Sequence, residues 1–210
     1  MKILKFGGKS LAYGKPLENA LDIISEQAES DRVAVVVSAL ADSTDRLLDL
    51  YNRARNGHPY DGELELFKKT YEDIGSEFFP EREFVELKET LSTVREGDEN
   101  SLQRDLILSL GERISVNIVS QKLEKKGIKA LSVDARAFLK VKPNGVYNSI
   151  NDEVSEKLTN DYFRNLPSGV TPVITGFIAS DGEGRTVTLG RNGTNYTASL
   201  IADFIGASEV

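Results

Sequence analysis

Short apolar runs alternate with stretches of helical periodicity in the first third of the chain. Residues 3–6 form one strand-like run and residues 33–37 another, and the second is continuous and β-branched, as in a strand buried on both faces. Between them, after Pro16, apolar residues recur at the spacing of an amphipathic helix. A second helix is predicted over residues 46–56, with Thr44 or Asp45 as its N-cap. This order of elements predicts a parallel sheet with helices on both faces.

The middle of the chain combines helical periodicity with many charges. Residues 62–126 are predicted to be mostly helical, because apolar side chains recur three and four positions apart. Residues 106–123 form the longest of these helices, and Gly127 ends it. This predicted helix carries a marked apolar stripe.

The last third returns to alternating strands and helices. The predicted elements are a strand at 129–133, a turn at Pro143-Asn144-Gly145, a helix at 152–165, a strand at 170–174, a hairpin of 177–179 with 186–189, and a helix from Thr194 or Asn195 to Phe204. Residues 207–210 look like the start of another strand. We therefore expect this chain to be part of a longer one.

Composition restricts the class of protein. The 210 residues suffice for one large domain, and 40% hydrophobic with 28% charged residues is typical of soluble proteins. No membrane span or signal peptide is predicted, and a chain without cysteine has neither disulfides nor thiolate chemistry, which fits a cytoplasmic protein. A net charge of −7 argues against a partner that is a nucleic acid or an anionic membrane. A nucleotide site stays compatible with it, because a few local cations hold a triphosphate.

Small and polar residues follow four of the predicted strands. The segments are Lys5 to Ser10, Ser38-Ala39, Thr175-Gly176-Phe177 and residues 190–194. Because ligands bind outside the carboxyl ends of strands in open α/β sheets, we expect these segments to line one crevice. Glycine, lysine and arginine there suit an anionic ligand, since backbone N–H groups approach phosphate closely where a side chain is absent.

Two cations in these segments have competing interpretations. Lys5 either meets an anion or extends its ammonium group to solvent, and the glycines directly after it favour the anion. Arg191 lies either in a plain turn or in an anion-binding loop, and its guanidinium favours bidentate binding of phosphate or carboxylate.

Three other features of the sequence give weaker indications of a functional site. Gly8-Lys9-Ser10 is not a P-loop, since Ile3 stands where the first glycine is needed. His58 lies in a Gly-His-Pro segment predicted at the surface, and with one histidine and no cysteine we expect no zinc site. Glu112 and Arg113 are either an exposed helical pair or a crevice carboxylate with its neighbour, and the pattern alone favours the exposed pair.

Five segments, in order, carry a resemblance to aspartokinases of the amino-acid kinase family. They are Lys5-Phe6-Gly7-Gly8-x-Ser10, Val35-Val36-Val37-Ser38-Ala39 with Thr44, Gly111-Glu112-Arg113-Ile114-Ser115, Gly176-Phe177-Ile178, and Gly190-Arg191-x-Gly193-Thr194-x-Tyr196-Thr197-Ala198. Each segment alone is weak, and together they span nearly the whole chain. The resemblance implies an α/β fold, a three-layer αβα sandwich with a mostly parallel central sheet.

The resemblance also implies an activity, the transfer of the ATP γ-phosphoryl group to the side-chain carboxylate of L-aspartate, with Mg²⁺ bridging the phosphates. It assigns catalysis to Lys5 and Asn195, with Lys5 neutralising the transferring phosphoryl group. The residues that it assigns to phosphate binding, besides Lys5, are Gly7, Gly8, Ser10 and Gly193. Those that it assigns to aspartate are Ser38, Thr44, Glu112, Phe177, Arg191 and Thr194, with Arg191 on the α-carboxylate and Glu112 facing the ammonium group or Lys5.

Two positions depart from the family pattern. Lys9 stands where the family usually has threonine, which places a further cation near the phosphates or directs it away. Asn195 stands where the family usually has an acidic residue, and an amide keeps a hydrogen bond but not the charge.

Family members are longer than this chain. The resemblance implies that residues 1–210 are one domain, the substrate-binding N-terminal part of the kinase, with the ATP-binding C-terminal part outside it. A regulatory domain or a homoserine dehydrogenase would follow, and the full-length protein is expected to be a homo-oligomer. Two alternatives stay open: a relative acting on glutamate, acetylglutamate, carbamate or a nucleoside monophosphate such as UMP, and a non-catalytic module that keeps the fold.

Overall fold

The central sheet has four parallel strands. The computed structural model describes residues 1–74, 79–97, 101–142 and 149–210. The strands are β1 (Lys2–Phe6), β2 (Val33–Val37), β3 (Ala130–Val133) and β4 (Thr171–Thr175), in the spatial order β1-β2-β4-β3. The four strands predicted from apolar runs are therefore confirmed in place and in direction.

Alternate residues of these strands face two separate apolar layers. Val35 and Val37 of β2 pack into one layer, whereas Ala34 and Val36 pack into the other. All five residues of β2 are buried, because the strand lies inside the sheet and is covered on both faces. This burial on both faces explains why the sequence of β2 is a continuous apolar run rich in β-branched residues.

Helices cover both faces of the sheet. The helices are α1 (Lys15–Ser30), α2 (Ser43–Arg55), α3 (Asp61–Ile74), α4 (Glu81–Thr93), α5 (Ser101–Lys125), α6 (Asp152–Arg164) and α7 (Gly193–Phe204). Helices α1 to α5 contribute to the layer of Val35, and α6 and α7 to the layer of Val36. The predicted three-layer αβα sandwich with a parallel central sheet is confirmed.

The predicted hairpin is also present. Strands β5 (Ile178–Ser180) and β6 (Thr186–Thr188) pair antiparallel and form their own two-stranded sheet. The predicted turn at residues 143–145 lies outside the described residues.

The longest helix differs from its prediction. In α5, every residue from Ile107 to Val116 is buried, because the helix lies between the sheet and the other helices of its layer. In this stretch, burial therefore extends around the whole helix and is not limited to one stripe. The preference for an exposed Glu112–Arg113 pair was wrong, since these residues are 1% and 7% exposed.

The start of α2 was also predicted too late. The helix begins at Ser43 rather than Arg46, and the residue before it is Asp42, so neither Thr44 nor Asp45 is the N-cap. Ser43 Oγ instead donates a hydrogen bond to the carbonyl of Leu40. This earlier start places Thr44 in the first turn of the helix.

The end of the chain lies beside the start of β1. Ile3 N donates to Glu209 O at 2.9 Å, and Ser208 N donates to Met1 O at 3.0 Å, which makes a parallel bridge. His58 is exposed, as predicted. Within the described residues, no helix combines the length and apolarity that crossing a membrane requires.

Candidate active site

The four segments predicted to share a crevice do meet. A cleft of about 260 Å³ opens where β1, β2 and β4 end and where α7 begins. Its lining residues come from all four segments, from the first turns of α2 and α7, and from the middle of α5: Lys5, Gly7, Gly8, Ser38, Thr44, Glu112, Phe177, Gly190, Asn192, Gly193, Thr194 and Asn195. The parallel topology explains the meeting, because parallel strands end at one edge of their sheet.

Lys5 brings a cation into this cleft. No carboxylate of the described residues lies within 4 Å of its ammonium group, so its charge is left for a ligand. The ammonium nitrogen would lie 3.2 Å from a Cβ placed on Gly7. A side chain at Gly7 would therefore crowd the ammonium group of Lys5, which would have to shift slightly.

Gly8 lets two loops touch through their backbones. A Cβ at this position would lie 2.8 Å from the carbonyl oxygen of Ala41 and 2.9 Å from that of Ala39. Ala41 N also donates to Gly8 O at 3.0 Å. Because backbone atoms cannot move aside as a flexible side chain does, this glycine is needed to hold the β1 and β2 loops together.

The other wall of the cleft is packed just as closely. A methyl group on Gly176 would meet the Thr194 side chain, 2.9 Å from its Oγ1, and one on Gly193 would lie 2.8 Å from Phe177 Cδ2. Phe177 has a φ of +67°, and its N–H donates to Thr197 Oγ1 at 3.2 Å. The end of β4 is thereby fitted against the first turn of α7.

The first turn of α7 adds partial positive charge. The helix begins at Gly193, and its first residues, Thr194 and Asn195, line the cleft. Backbone N–H groups at a helix start favour anions, and Lys5 faces the same space. This side of the cleft suits a phosphate or a carboxylate.

Glu112 gives the cleft an opposite pole. Its Oε1 accepts a hydrogen bond from Ala39 N at 3.1 Å, whereas its Oε2 has no partner among the described residues. Burial raises the pKa of Glu112 to about 8, despite the hydrogen bond from Ala39. An unpaired buried oxygen costs free energy until a proton or a cationic group meets it. This pole therefore suits an ammonium group.

Two predicted site residues lie outside the lining of the cleft. Ser10 is exposed in a short 3₁₀ helix, where its N–H donates to Gly7 O at 2.9 Å. Arg191 is exposed at the rim, between two residues that do line the cleft. Those two, Gly190 and Asn192, lie in a segment that was expected to line the crevice, but the sequence analysis assigned neither of them a binding role. Their membership of the same loop was the available signal.

The donors of the cleft fit phosphate better than they fit a bare metal ion. Glu112 is its one carboxylate, and the rest of the lining offers an ammonium group, hydroxyls, amides and backbone N–H groups. Across the described ranges, no three His, Cys, Asp or Glu side chains group closely enough to hold a metal.

Comparison with known sequences identifies a family. The model of the amino acid kinase family matches residues 1–210. The chain is 31% identical over 211 residues to the aspartokinase of Chlamydia pneumoniae and 29% identical over 214 residues to bifunctional aspartokinase/homoserine dehydrogenase 2 of Escherichia coli. These alignments cover 99% and 98% of the chain, but only 46% and 26% of those proteins. The chain thus spans half or less of the length of these curated relatives.

Solved structures show the same fold. Escherichia coli aspartokinase III in complex with lysine and aspartate superposes with a TM-score of 0.87 at 25% identity, over 99% of this chain and 48% of that one. The same enzyme in complex with aspartate and ADP gives a TM-score of 0.81 over 99% and 47%. With a family model that matches from the first residue to the last, this chain belongs to the amino acid kinase family.

Proposed function

We propose that the protein containing this chain is an aspartate kinase, which transfers the γ-phosphoryl group of ATP to the side-chain carboxylate of L-aspartate. The observation that carries the proposal is the two-pole cleft, with the buried, half-satisfied carboxylate of Glu112 at one pole and Lys5 with the start of α7 at the other. An amino acid that has an ammonium group and two carboxylates complements both poles.

The acceptor is held at the Glu112 pole in this proposal. Glu112 Oε2 receives the ammonium group, which favours the ionised carboxylate and so offsets the effect of burial on its pKa. Arg191 turns inward from the rim to pair with the α-carboxylate, since its guanidinium binds a carboxylate through two parallel hydrogen bonds. The remaining proposed contacts are Ser38, Thr44, Phe177 and Thr194, all of which line the cleft.

The phosphates are held at the other pole. Lys5 neutralises the charge that develops on the transferring phosphoryl group, and the backbones of Gly7, Gly8 and Gly193 approach its oxygens. Ser10 joins them from its 3₁₀ helix. Mg²⁺ would arrive bound to the phosphates of ATP and supply further charge neutralisation. Asn195 lines the cleft and serves as a hydrogen-bonding group in the transfer.

The transfer depends mainly on aligning the acceptor carboxylate with the γ-phosphorus. The aspartate side chain is ionised at neutral pH, so its oxygen attacks the γ-phosphorus without a base, and the bond to the ADP oxygen breaks as the new P–O bond forms. A cleft that fixes the acceptor between two rigid elements supplies this alignment. The likeness to a structure bound to aspartate and ADP supports the assignment of both ligands.

The rest of the proposal concerns parts of the protein beyond residues 1–210. Residues 1–210 would be one domain that supplies the acceptor site, while the adenine and ribose of ATP would contact parts of the protein beyond it. We also propose a cytoplasmic homo-oligomer for the full-length protein, which light scattering and cell fractionation would test.

One observation favours the non-catalytic alternative. Asn195 lines the cleft in place of an acidic side chain, and no carboxylate in the described part of the chain lies within 4 Å of Lys5 in compensation. Turnover by the full-length protein would discard this alternative.

The test is phosphoryl transfer by the full-length product of the gene. ATP- and Mg²⁺-dependent formation of aspartyl phosphate is trapped as the hydroxamate, with glutamate, acetylglutamate, carbamate and UMP as competing acceptors. Preference for L-aspartate would support the proposal. A folded protein that phosphorylates another acceptor, or none, would reject it.

A further inference from the structure

A buried carboxylate outside the cleft links two of its walls. Asp105 lies near the start of α5 and is 7% exposed. Its Oδ2 accepts a hydrogen bond from Thr188 N at 3.0 Å, and its Oδ1 accepts one from Thr188 Oγ1 at 2.9 Å. Arg104 lies 3.5 Å from Oδ1. Burial raises the pKa of Asp105, although its contacts with Thr188 and Arg104 act to lower it. Burying the ionised carboxylate therefore costs free energy.

Thr188 is the last residue of β6, directly before the residues that enter the cleft. Leu189 N donates to Phe177 O at 2.8 Å, and Gly190 follows as a lining residue. Phe177, just before β5, and Gly190, just after β6, therefore both line the cleft. Among the described strands, β6 pairs only with β5, so its hydrogen bonds to Asp105 help to fix where the 190–194 loop begins.

The attachment point shares a helix with Glu112. Asp105 and Glu112 are both buried residues of α5, seven positions apart. Seven residues make about two helical turns, so the two side chains leave the same side of the helix about 10.5 Å apart. One rigid element thus holds the carboxylate pole of the cleft at one point and the hairpin at another.

We propose that Asp105 is a positioning residue, which sets the distance between Glu112 and the 190–194 loop and thereby aligns the amino-acid acceptor. The inference rests on the proposed function, because the acceptor is taken to span these two elements. Asp105 itself does not touch substrate in this proposal; it acts through Thr188 and the loop that follows.

The substitutions separate contact from charge. Asp105→Ala removes both hydrogen bonds, whereas Asp105→Asn keeps them, since its amide oxygen accepts from Thr188 N and its amide nitrogen donates to the threonine hydroxyl. Thr188→Val removes the hydroxyl contact and keeps the backbone one, and Thr188→Ser keeps both. Thr186→Val is the control, because Thr186 belongs to the same strand as Thr188 but lies farther from the loop. The change removes the contact of Thr186 Oγ1 with Arg136.

The full-length protein is assayed for kinetics and for amide hydrogen exchange. Asp105→Ala is expected to lower kcat/KM for aspartate about tenfold to a hundredfold, with a rise in KM for aspartate that exceeds that for ATP. Thr188→Val should show a smaller effect of the same kind, while Asp105→Asn, Thr188→Ser and Thr186→Val stay close to the wild type. Amides of residues 189–194 should exchange faster in Asp105→Ala, and amides of β2 should not.

Each result decides something. Unchanged kinetics and exchange in a folded Asp105→Ala protein would overturn the positioning role, as would an equal loss in Thr186→Val. If Asp105→Ala does not fold, Thr188→Val against Thr188→Ser gives the answer. A wild type inactive on aspartate would instead reject the proposed function, and the exchange comparison would still test whether Asp105 holds the loop.

Discussion

Glu112 and Ala39, 73 positions apart in sequence, are joined by a 3.1 Å hydrogen bond from the alanine N–H to Oε1. The other oxygen of this buried carboxylate, Oε2, meets no hydrogen-bonding group in the described part of the chain. The bond ties α5 to the loop after β2, and it turns one face of the carboxylate toward the cleft. This arrangement has consequences that can be measured without any substrate.

The first prediction concerns stability against pH. Burial raises the pKa of Glu112 from 4.5 to about 8, so the folded protein keeps a proton that the unfolded chain loses. Because the unfolded state binds fewer protons across this window, the free energy of unfolding falls as pH rises from 4.5 to 8 and levels off above it. The slope due to this group is about 1.4 kcal/mol per pH unit inside the window.

Glu112→Gln isolates this effect. The amide keeps the acceptor for Ala39 N and cannot ionise, so the variant should lose the contribution of this group. Both proteins are unfolded with urea at about pH 5.5, where folded Glu112 is protonated, and at about pH 8.5, where it is mostly ionised. The variant should gain stability relative to wild type at the higher pH. Equal differences at both pH values would show that Glu112 does not keep a raised pKa.

Removal of the cleft cation is expected to remove catalysis without unfolding. Lys5→Ala should lower kcat of the full-length protein by about a hundredfold or more, because one preorganised charge on a developing anion is worth that much. Lys9→Ala is the matched control, since Lys9 is exposed and stands outside the lining of the cleft. A Lys5→Ala protein with normal turnover, or a Lys9→Ala protein with an equal loss, would contradict the assignment.

The contact between β4 and α7 predicts an overpacking effect. Gly176→Ala places a methyl group against the Thr194 side chain, which should lower the free energy of unfolding by about 1–3 kcal/mol. Gly182→Ala is the control, because a Cβ there meets no atom of the described chain within 4 Å and the residue has no positive φ. Chemical denaturation of the two variants should separate them clearly; similar midpoints would mean that Thr194 moves aside at little cost.

The ion pair between the buried Arg113 and the half-buried Glu86 should matter more than an exposed one. Arg113 donates to both oxygens of Glu86 at 2.8 and 2.7 Å, and lies 3.9 Å from the buried Glu83. Arg113→Met should cost about 3 kcal/mol of unfolding free energy, since it leaves carboxylates without their cation. Arg53→Met, which breaks an exposed pair with Asp49, should lower the free energy of unfolding far less than Arg113→Met does, because solvent screens the exposed pair. Equal losses in thermal or urea unfolding would argue that the Arg113 cluster is solvated.

Local pattern was enough to predict most elements and the place of the site. The run at Val33–Val37 is apolar at every position, so its burial on both faces could be predicted without knowing its neighbours. Parallel strands end at one edge, so Lys5, Ser38 and Phe177 were expected together before any contact was known, and all three line the cleft. The sequence also implied roles for these residues through the family resemblance.

The tertiary structure decided what depends on residues far apart in sequence. Periodicity could not show that α5 is enclosed on all sides over Ile107 to Val116, so Glu112 looked exposed although it is a buried pole of the cleft. Nor could it pair Asp105 with Thr188, which lies 83 positions away. Local sequence determines the conformation of each segment, because short-range sterics and periodic burial act within it. The environment of a charged side chain is decided by whichever distant segments pack around it, and only the assembled chain shows which those are.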